Sequence, residues 1–188
     1  MNRSVYLDRD GVLIQHRVVD GKPCAPSNIA DIIIQEEVLE ACKRLKTAGY
    51  LLVMVTNQAA IANGVIDKAQ AESINSYLEL TLKLDAVEMC SHGQNDNCVC
   101  RKPKPYMLEK AAKSLDIDLI NSFMIGDRWS DIEAGEKAGC KTIYIKNSNY
   151  EDNVLFVPDF IANNLKDAAD WILKQETTDE INGIGWTI

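Results

Sequence analysis

Short apolar runs recur along this chain, each followed by a stretch with helical periodicity. This alternation constrains the architecture more than any other feature. β-Rich runs cover residues 4–7, 50–56, 86–90, 122–126 and 141–145, and helical stretches cover 36–48, 67–84, 106–115, 130–138 and 165–174. Runs such as Leu-Leu-Val-Met-Val at 51–55 and Thr-Ile-Tyr-Ile at 142–145 are apolar at successive positions. Strands buried on both faces of a parallel sheet need that pattern. Strands alternating with helices through right-handed crossovers build a doubly wound α/β domain around a mainly parallel sheet. In the 36–48 helix, Val38, Leu39, Cys42 and Leu45 are expected on one face. Asp67 is expected to cap the next helix, and Gly49 and Gly139 to end two others. No internal repeat or linker divides the pattern, so residues 1–175 are expected to form one domain and 176–188 a tail. Residues 14–31, the cysteine segment and 147–159 read as irregular.

Length and composition fit that reading. A chain of 188 residues, 46% hydrophobic and 26% charged, suits one well-buried core. Its apolar runs fall far short of the roughly 20 residues that span a bilayer. Residues 4–7 read as a core strand where a signal peptide would stand, so a cytoplasmic protein without membrane contact is expected. In that compartment the six cysteines are expected as thiols or metal ligands, not disulfides. A formal charge of −8 argues against nucleic-acid binding. It would also repel anionic substrates, so any phosphate site must be a local cluster of cations.

Ligands of such folds bind beyond the carboxyl ends of the strands. The polar residues found there are Asp8-Arg9-Asp10-Gly11, Thr56-Asn57-Gln58, the cysteine segment ending in Arg101-Lys102-Pro103-Lys104, and Gly126-Asp127-Arg128-Trp129-Ser130-Asp131. Asp8 and Asp10 are two apart, which places both on one face of an extended backbone. Carboxylates that close repel unless a proton or cation separates them. Mg²⁺ is the natural partner, with Asp127 as a further oxygen ligand. The set suits phosphoryl transfer: Asp8 as nucleophile forming an aspartyl-phosphate, Asp10 as acid and then base, Thr56 and a lysine neutralising the equatorial oxygens.

Cys90, His92, Cys98 and Cys100 offer three thiolates and an imidazole, a complete tetrahedral set for Zn²⁺. Four protein ligands leave no position for water or substrate, so this zinc is expected to be structural. Cys42 and Cys140 fit core positions, and Cys24 lies in the loop beside the expected substrate wall. His16 follows the first motif and reads as a surface histidine, with substrate contact as the alternative, and Lys104 reads as a solvated lysine.

Leu-Asp-Arg-Asp-Gly-Val, Val-Thr-Asn-Gln, Cys-Arg-Lys-Pro-Lys-Pro and Ile-Gly-Asp-Arg-Trp-Ser-Asp resemble, in order, the four motifs of the haloacid dehalogenase superfamily. More narrowly they resemble its zinc-containing branch, the heptose bisphosphate phosphatases and the phosphatase half of histidinol-phosphatase. The resemblance covers roughly residues 4–175 and implies a Mg²⁺-dependent phosphoric monoester hydrolase on a Rossmann-like sheet. It implies Asp8 as nucleophile and metal ligand, and Asp10 as acid/base giving its backbone carbonyl to Mg²⁺. Thr56 and Lys102 would stabilise the transferring phosphoryl group, and Asp127 would complete the metal site. Asn57, Arg101 and Arg128 would contact substrate. Asp131 would either reach the metal through water or stand as a surface helix acid.

The intervals between Asp8, Thr56 and Lys102 are filled by core elements, leaving no room for a separate cap domain. An open site walled by residues 14–31 and the zinc loop, 90–100, is expected. Thr-Asn-Gln-Ala-Ala-Ile-Ala-Asn-Gly is close to the heptose group's pattern, departing at Asn63, and Tyr106 departs where glycine is usual. The short Cys-x-His-x5-Cys-x-Cys spacing matches the histidinol-phosphatase group. The resemblance thus implies a small phosphorylated metabolite as partner. The first expectation is the 7-phosphate of D-glycero-D-manno-heptose 1,7-bisphosphate, in lipopolysaccharide precursor synthesis, handled by a monomer. Histidinol phosphate or another sugar phosphate is the alternative. A receiver-type signalling module is the alternative of another class, but its acceptor aspartate follows the third strand, which here leads into cysteines. A P-loop kinase is excluded because Gly-x4-Gly-Lys-Ser/Thr is missing.

Overall fold

The computed structural model describes residues 1–19, 22–146 and 157–183. Strand β1 (Ser4–Leu7) comes first, followed by the antiparallel pair β2 (Arg17–Val19) and β3 (Lys22–Cys24), a 3-10 turn at Ile29–Asp31, and α1 (Glu36–Thr47). The next unit comprises β4 (Leu51–Asn57), the short α2 (Ala59–Ala62), α3 (Lys68–Leu82) and β5 (Ala86–Cys90). Beyond the cysteine segment lie α4 (Tyr106–Leu115), β6 (Phe123–Gly126), α5 (Trp129–Ala138), β7 (Lys141–Ile145), β8 (Phe160–Ala162) and α6 (Leu165–Gly183).

The main sheet runs β5-β4-β1-β6-β7-β8 with every neighbouring pair parallel. Its carboxyl ends therefore share one edge. From β1 the chain steps outward through β4 and β5, then returns to the other side of β1 at β6. Ligand crevices form at such a reversal of strand order. Here it lies at the tip of β1, where Asp8 begins.

Both faces of the sheet are buried, as the uninterrupted apolar runs require. Val5, Leu7, Leu52, Met54, Phe123 and Ile125 pack with α1, α3 and α6. Tyr6, Val53, Val55 and Met124 point the other way and pack with α4 and α5. The period of two along each strand assigns the faces. Asp67 caps α3: its Oδ1 accepts from Gln70 N at 2.7 Å, and Gln70 Oε1 accepts from Asp67 N at 2.8 Å. Such a capping box stabilises a helix by about 1 kcal/mol. Cys42 and Cys140 are core residues, and burial pushes both thiols up to about 12.

Four details depart from expectation. On α1 the buried stripe is Val38, Ala41, Cys42 and Leu45, while Leu39 is exposed. One position of drift at 100° per residue suffices to bring Leu39 to solvent. Strand β8 and the β2–β3 pair are three residues each, too short to show as an apolar run. Helix α6 continues to Gly183, past the helical stretch expected at 165–174. Most of the irregular stretch 147–159 lies outside the described residues. No helix among the described residues is long and apolar enough to cross a membrane.

Candidate active site

Three strands deliver the site. β1 ends one residue before Asp8, β4 ends at Thr56 and Asn57, and β6 ends at Gly126 just before Asp127, while Asp131 comes from the first turn of α5. Carboxylate oxygens of Asp8, Asp127 and Asp131 lie within 4.8 Å of one another, and all three residues are buried. Lys102, from the loop after β5, is buried against them. Its Nζ donates to Asp8 Oδ1 at 2.8 Å and to Val55 O at 2.7 Å, and pairs with Asp131 Oδ1 at 2.6 Å.

The electrostatics follow from this crowding. Burial pushes Asp8 up, reinforced by Asp127 and Asp10 against the pull of Lys102. Burial also pushes Asp131 up to about 7, opposed by Lys102 and helped by Asp8 and Asp127. For Lys102 burial disfavours the charge, but Asp131 and Asp8 outweigh it and hold the ammonium above its ordinary value. Three buried carboxylates facing one ammonium leave a surplus of negative charge. An all-oxygen set of that charge fits a hard divalent cation such as Mg²⁺.

Asp131 is thus no surface acid: it is 1% exposed and sits opposite Lys102. Its Oδ2 also accepts from Arg128 N at 3.1 Å, closing the first turn of α5. Asp8 and Asp10 both line the cavity, and Asp10 adds to the upward push on Asp8, but they are not brought there by an extended strand. The chain turns sharply after Asp8, with Leu13 N donating to Arg9 O at 3.0 Å and Gly11 N to Ile14 O at 2.8 Å. Extended-strand alternation therefore does not hold. The Asp10 carboxylate accepts from Arg9 Nε at 3.1 Å, Arg9 Nη2 at 3.3 Å and Gln58 Nε2 at 2.8 Å. Gln58 Nε2 also donates to Thr56 Oγ1 at 2.8 Å, so one amide ties the two motifs together.

His16 was expected on the surface, yet its side chain is 8% exposed and its Nε2 lies 2.9 Å from Asp127 Oδ2. The tight turn at Gly11 makes room for this contact. A Cβ at Gly11 would fall 2.2 Å from Asp127 Oδ2 and 2.5 Å from His16 Nε2, at a φ of +91° that L residues rarely adopt. Gly11→Ala is therefore expected to cut turnover by at least about tenfold, since the strained turn alone costs roughly 1 kcal/mol and Asp127 must move as well. Steady-state assays across a Mg²⁺ titration check this. An unchanged half-saturation would show that Asp127 had not shifted.

Above the acids opens a cavity of about 680 Å³. Asp8, Asp10 and Lys102 lie at its base, and Arg101, Lys104, Arg128 and Lys137 line it with cations that oppose the negative field of the chain. Ala25 and the loop residues Gly93, Gln94, Asn97 and Cys98 form walls, as expected of the two irregular segments. Asn57 reaches this cavity but spends its amide on the backbone of Lys102, donating to its carbonyl at 3.1 Å and accepting from its N–H at 3.1 Å. Lys104 is exposed, as expected, and donates to the carbonyl of Cys98.

Beside the cavity, Cys90, His92, Cys98 and Cys100 converge with ligand atoms within 4.8 Å of one another. Cys90 Sγ lies 3.7 Å from Cys98 Sγ and 3.6 Å from His92 Nδ1, and Cys100 Sγ lies 3.2 Å from the same nitrogen. Tetrahedral zinc with ordinary bond lengths would set S···S edges of about 3.8 Å and S···N edges of about 3.6 Å. The donors therefore fit that ion. The loop is also tied to the acids: Gln58 N donates to Cys90 O at 2.7 Å, and Arg101 Nη1 to His92 O at 3.4 Å. Sequence reading met Arg9, Gln58 and His16 beside the motifs without giving them a holding role, and missed Asn75, whose signal is a polar residue in the apolar stripe of α3 that runs Ala71, Ile74, Leu78, Leu82.

Acids at neighbouring strand ends around β1, with a buried lysine from the next loop, form the site of a haloacid dehalogenase-like hydrolase, and a family model described as HAD-hydrolase-like matches residues 99–168. A D-glycero-β-D-manno-heptose-1,7-bisphosphate 7-phosphatase of Helicobacter pylori is 37% identical over 180 residues, covering 91% of this chain and 97% of that one. A protein of the same name from Haemophilus ducreyi is 39% identical over 153 residues, 74% of this chain and 80% of that one. The crystal structure of D,D-heptose 1,7-bisphosphate phosphatase from B. bronchiseptica, complexed with magnesium and phosphate, matches with a TM-score of 0.78. It is 28% identical and covers 92% of this chain and 99% of that one. By that identity and coverage the chain belongs to this family of haloacid dehalogenase-like phosphatases.

Proposed function

We propose that the chain is a phosphatase that removes the 7-phosphate of D-glycero-D-manno-heptose 1,7-bisphosphate through an aspartyl-phosphate on Asp8. The observation that carries the reading is the buried cluster of Asp8, Asp127, Asp131 and Lys102, of which Asp8, Asp131 and Lys102 line a cavity ringed with cations. Relatives that share most of the chain carry that substrate in their names.

In the first half-reaction a carboxylate oxygen of Asp8 attacks phosphorus as the bond to the sugar oxygen breaks. Asp10, held by Arg9 and Gln58, gives its proton to the leaving alkoxide, releasing the sugar alcohol. Lys102 and Thr56 face the charge that spreads over the equatorial oxygens. In the second half, Asp10 takes a proton from water as the water attacks phosphorus, the bond to Asp8 breaks, and inorganic phosphate leaves. Asp8, Asp127 and the backbone carbonyl of Asp10 would hold Mg²⁺, with Asp131 close by. When bound, the ion supplies the positive charge that lets an anionic nucleophile approach a phosphate. Arg101 and Arg128 would receive the second phosphate, and Asn57 would serve substrate indirectly by holding the Lys102 backbone. Cys90, His92, Cys98 and Cys100 would hold a structural Zn²⁺. The reading includes one domain over residues 1–175, acting as a monomer in the cytoplasm on a free metabolite, without nucleic acid or membrane.

A phosphate-release screen over both anomers of the heptose bisphosphate, sugar monophosphates and histidinol phosphate tests the substrate. The highest kcat/KM is expected on a heptose bisphosphate. A preference for histidinol phosphate would transfer the protein to the other zinc-containing group, whose cysteine spacing it shares.

A further inference from the structure

We propose that Asn75, a core residue of α3 outside every motif, is a positioning residue for Asp10, acting through the buried Arg9. The inference rests on the reading of Asp10 as the acid/base.

Arg9 is 0% exposed, and a buried guanidinium must be paired on each of its edges. One edge grips both oxygens of Asp10, Nε on Oδ2 and Nη2 on Oδ1. Such a two-point fork fixes the plane of a carboxylate as well as its distance. Another edge, Nη1, donates to Asn75 Oδ1 at 3.0 Å. The amide of Asn75 is itself oriented, because its Nδ2 donates to Met89 Sδ at 3.3 Å. The chain of contacts thus runs from Met89 on β5 through Asn75 and Arg9 to Asp10, and Gln58 grips the same carboxylate from β4.

Asn75 does not line the cavity and cannot touch substrate. It is 5% exposed in a stripe otherwise made of Ala71, Ile74, Leu78 and Leu82. Leucine at this position would bury more apolar surface but leave Arg9 Nη1 unpaired, so asparagine serves the guanidinium rather than the packing of the stripe. Its contribution is to hold the guanidinium plane, and through it the direction in which Asp10 presents its proton. Small misalignments at a reacting group are costly, about a hundredfold for 1 Å.

The test compares Asn75→Leu, which keeps the branched outline of the side chain but removes the acceptor, with Asn75→Asp, which keeps the oxygen facing Arg9. Each is assayed for kcat/KM on heptose bisphosphate and on p-nitrophenyl phosphate. The sugar alkoxide needs a proton to leave, whereas p-nitrophenolate does not. Asn75→Leu is expected to lose at least about tenfold on the sugar phosphate, within the range of general acid catalysis, and under about threefold on the aryl phosphate. Asn75→Asp is expected to stay within about threefold of the parent on both. Equal losses on both substrates, or none, would overturn the proposal. If Asn75→Leu does not fold, Asn75→Ala takes its place in the same comparison. Asp10→Asn run in parallel separates the two levels. If it shows no leaving-group dependence, the acid/base reading of Asp10 fails; if it does and Asn75→Leu does not, only the role of Asn75 fails.

Discussion

Asp8→Asn releases no phosphate above background while keeping its fold: a loss of at least about a thousandfold is expected, since removing a nucleophile disables the whole constellation. The amide matches the carboxylate in shape, so the cavity is not reshaped. Lys102 keeps Asp131 and the Val55 carbonyl as partners when Asp8 is neutralised. The pKa direction adds a second readout. A buried carboxyl held above its ordinary value binds its proton more tightly in the folded than in the unfolded chain. In the metal-free protein its ionised form therefore subtracts stability as pH rises through the carboxylate range. Replacing Asp8 by a neutral amide removes that cost, so the metal-free variant should melt no lower than the parent at pH 7. Robust turnover by Asp8→Asn would remove the nucleophile assignment, and a markedly lower melting point would contradict the electrostatic account.

The second large effect is expected at the thiol cluster. Protein purified without chelator should carry about one zinc per chain, and Cys90→Ser should carry almost none, measured by elemental analysis. Burial pushes the Cys90 thiol up to about 12. Its thiolate therefore depends on a neighbouring cation, and the ion in turn on that thiolate. Structural zinc sites contribute roughly 10 kcal/mol of apparent binding energy to their folded form. Without it the loop that carries Arg101 and Lys102 loses its internal tie. Turnover should fall by about a hundredfold, the scale of a 1 Å displacement at a reacting group. The sheet should survive, because Cys90 belongs to only one of the two apolar clusters and serine is close to it in size. Zinc content near zero in the parent protein would reject the cluster as a metal site. Zinc retained by Cys90→Ser would reject Cys90 as its ligand.

Much of the fold was legible because its signals are local. The strands at 4–7, 86–90 and 141–145 and the helix at 106–115 coincide with the observed elements. Continuous apolar runs and 3.6-residue stripes report burial on both faces of a sheet and on one side of a helix. What stayed hidden was short or depended on neighbours, as with β8 at the sheet edge and Leu39 on α1.

The candidate site divides along the same line. Asp8, Asp10, Thr56, Lys102, Asp127 and the four residues proposed to hold zinc stand out in the sequence as residue types at strand ends with telling spacing. Their grouping was a matter of three dimensions. A one-turn change of direction after Asp8 sends the Asp10 carboxylate to Arg9 and leaves Asp131 to join the buried acids. His16, Gln58 and Asn75 entered only because folding brought them within hydrogen-bond distance of residues far away in the chain. By itself, then, the sequence determined the α/β class, the edge where chemistry gathers and the candidate donors of the two proposed metal sites, since these follow from residue type, spacing and period. Tertiary structure alone decided which carboxylates face one another and which amides hold them. A hydrogen bond requires partners within about 3 Å, and no local pattern specifies a distance between elements tens of residues apart.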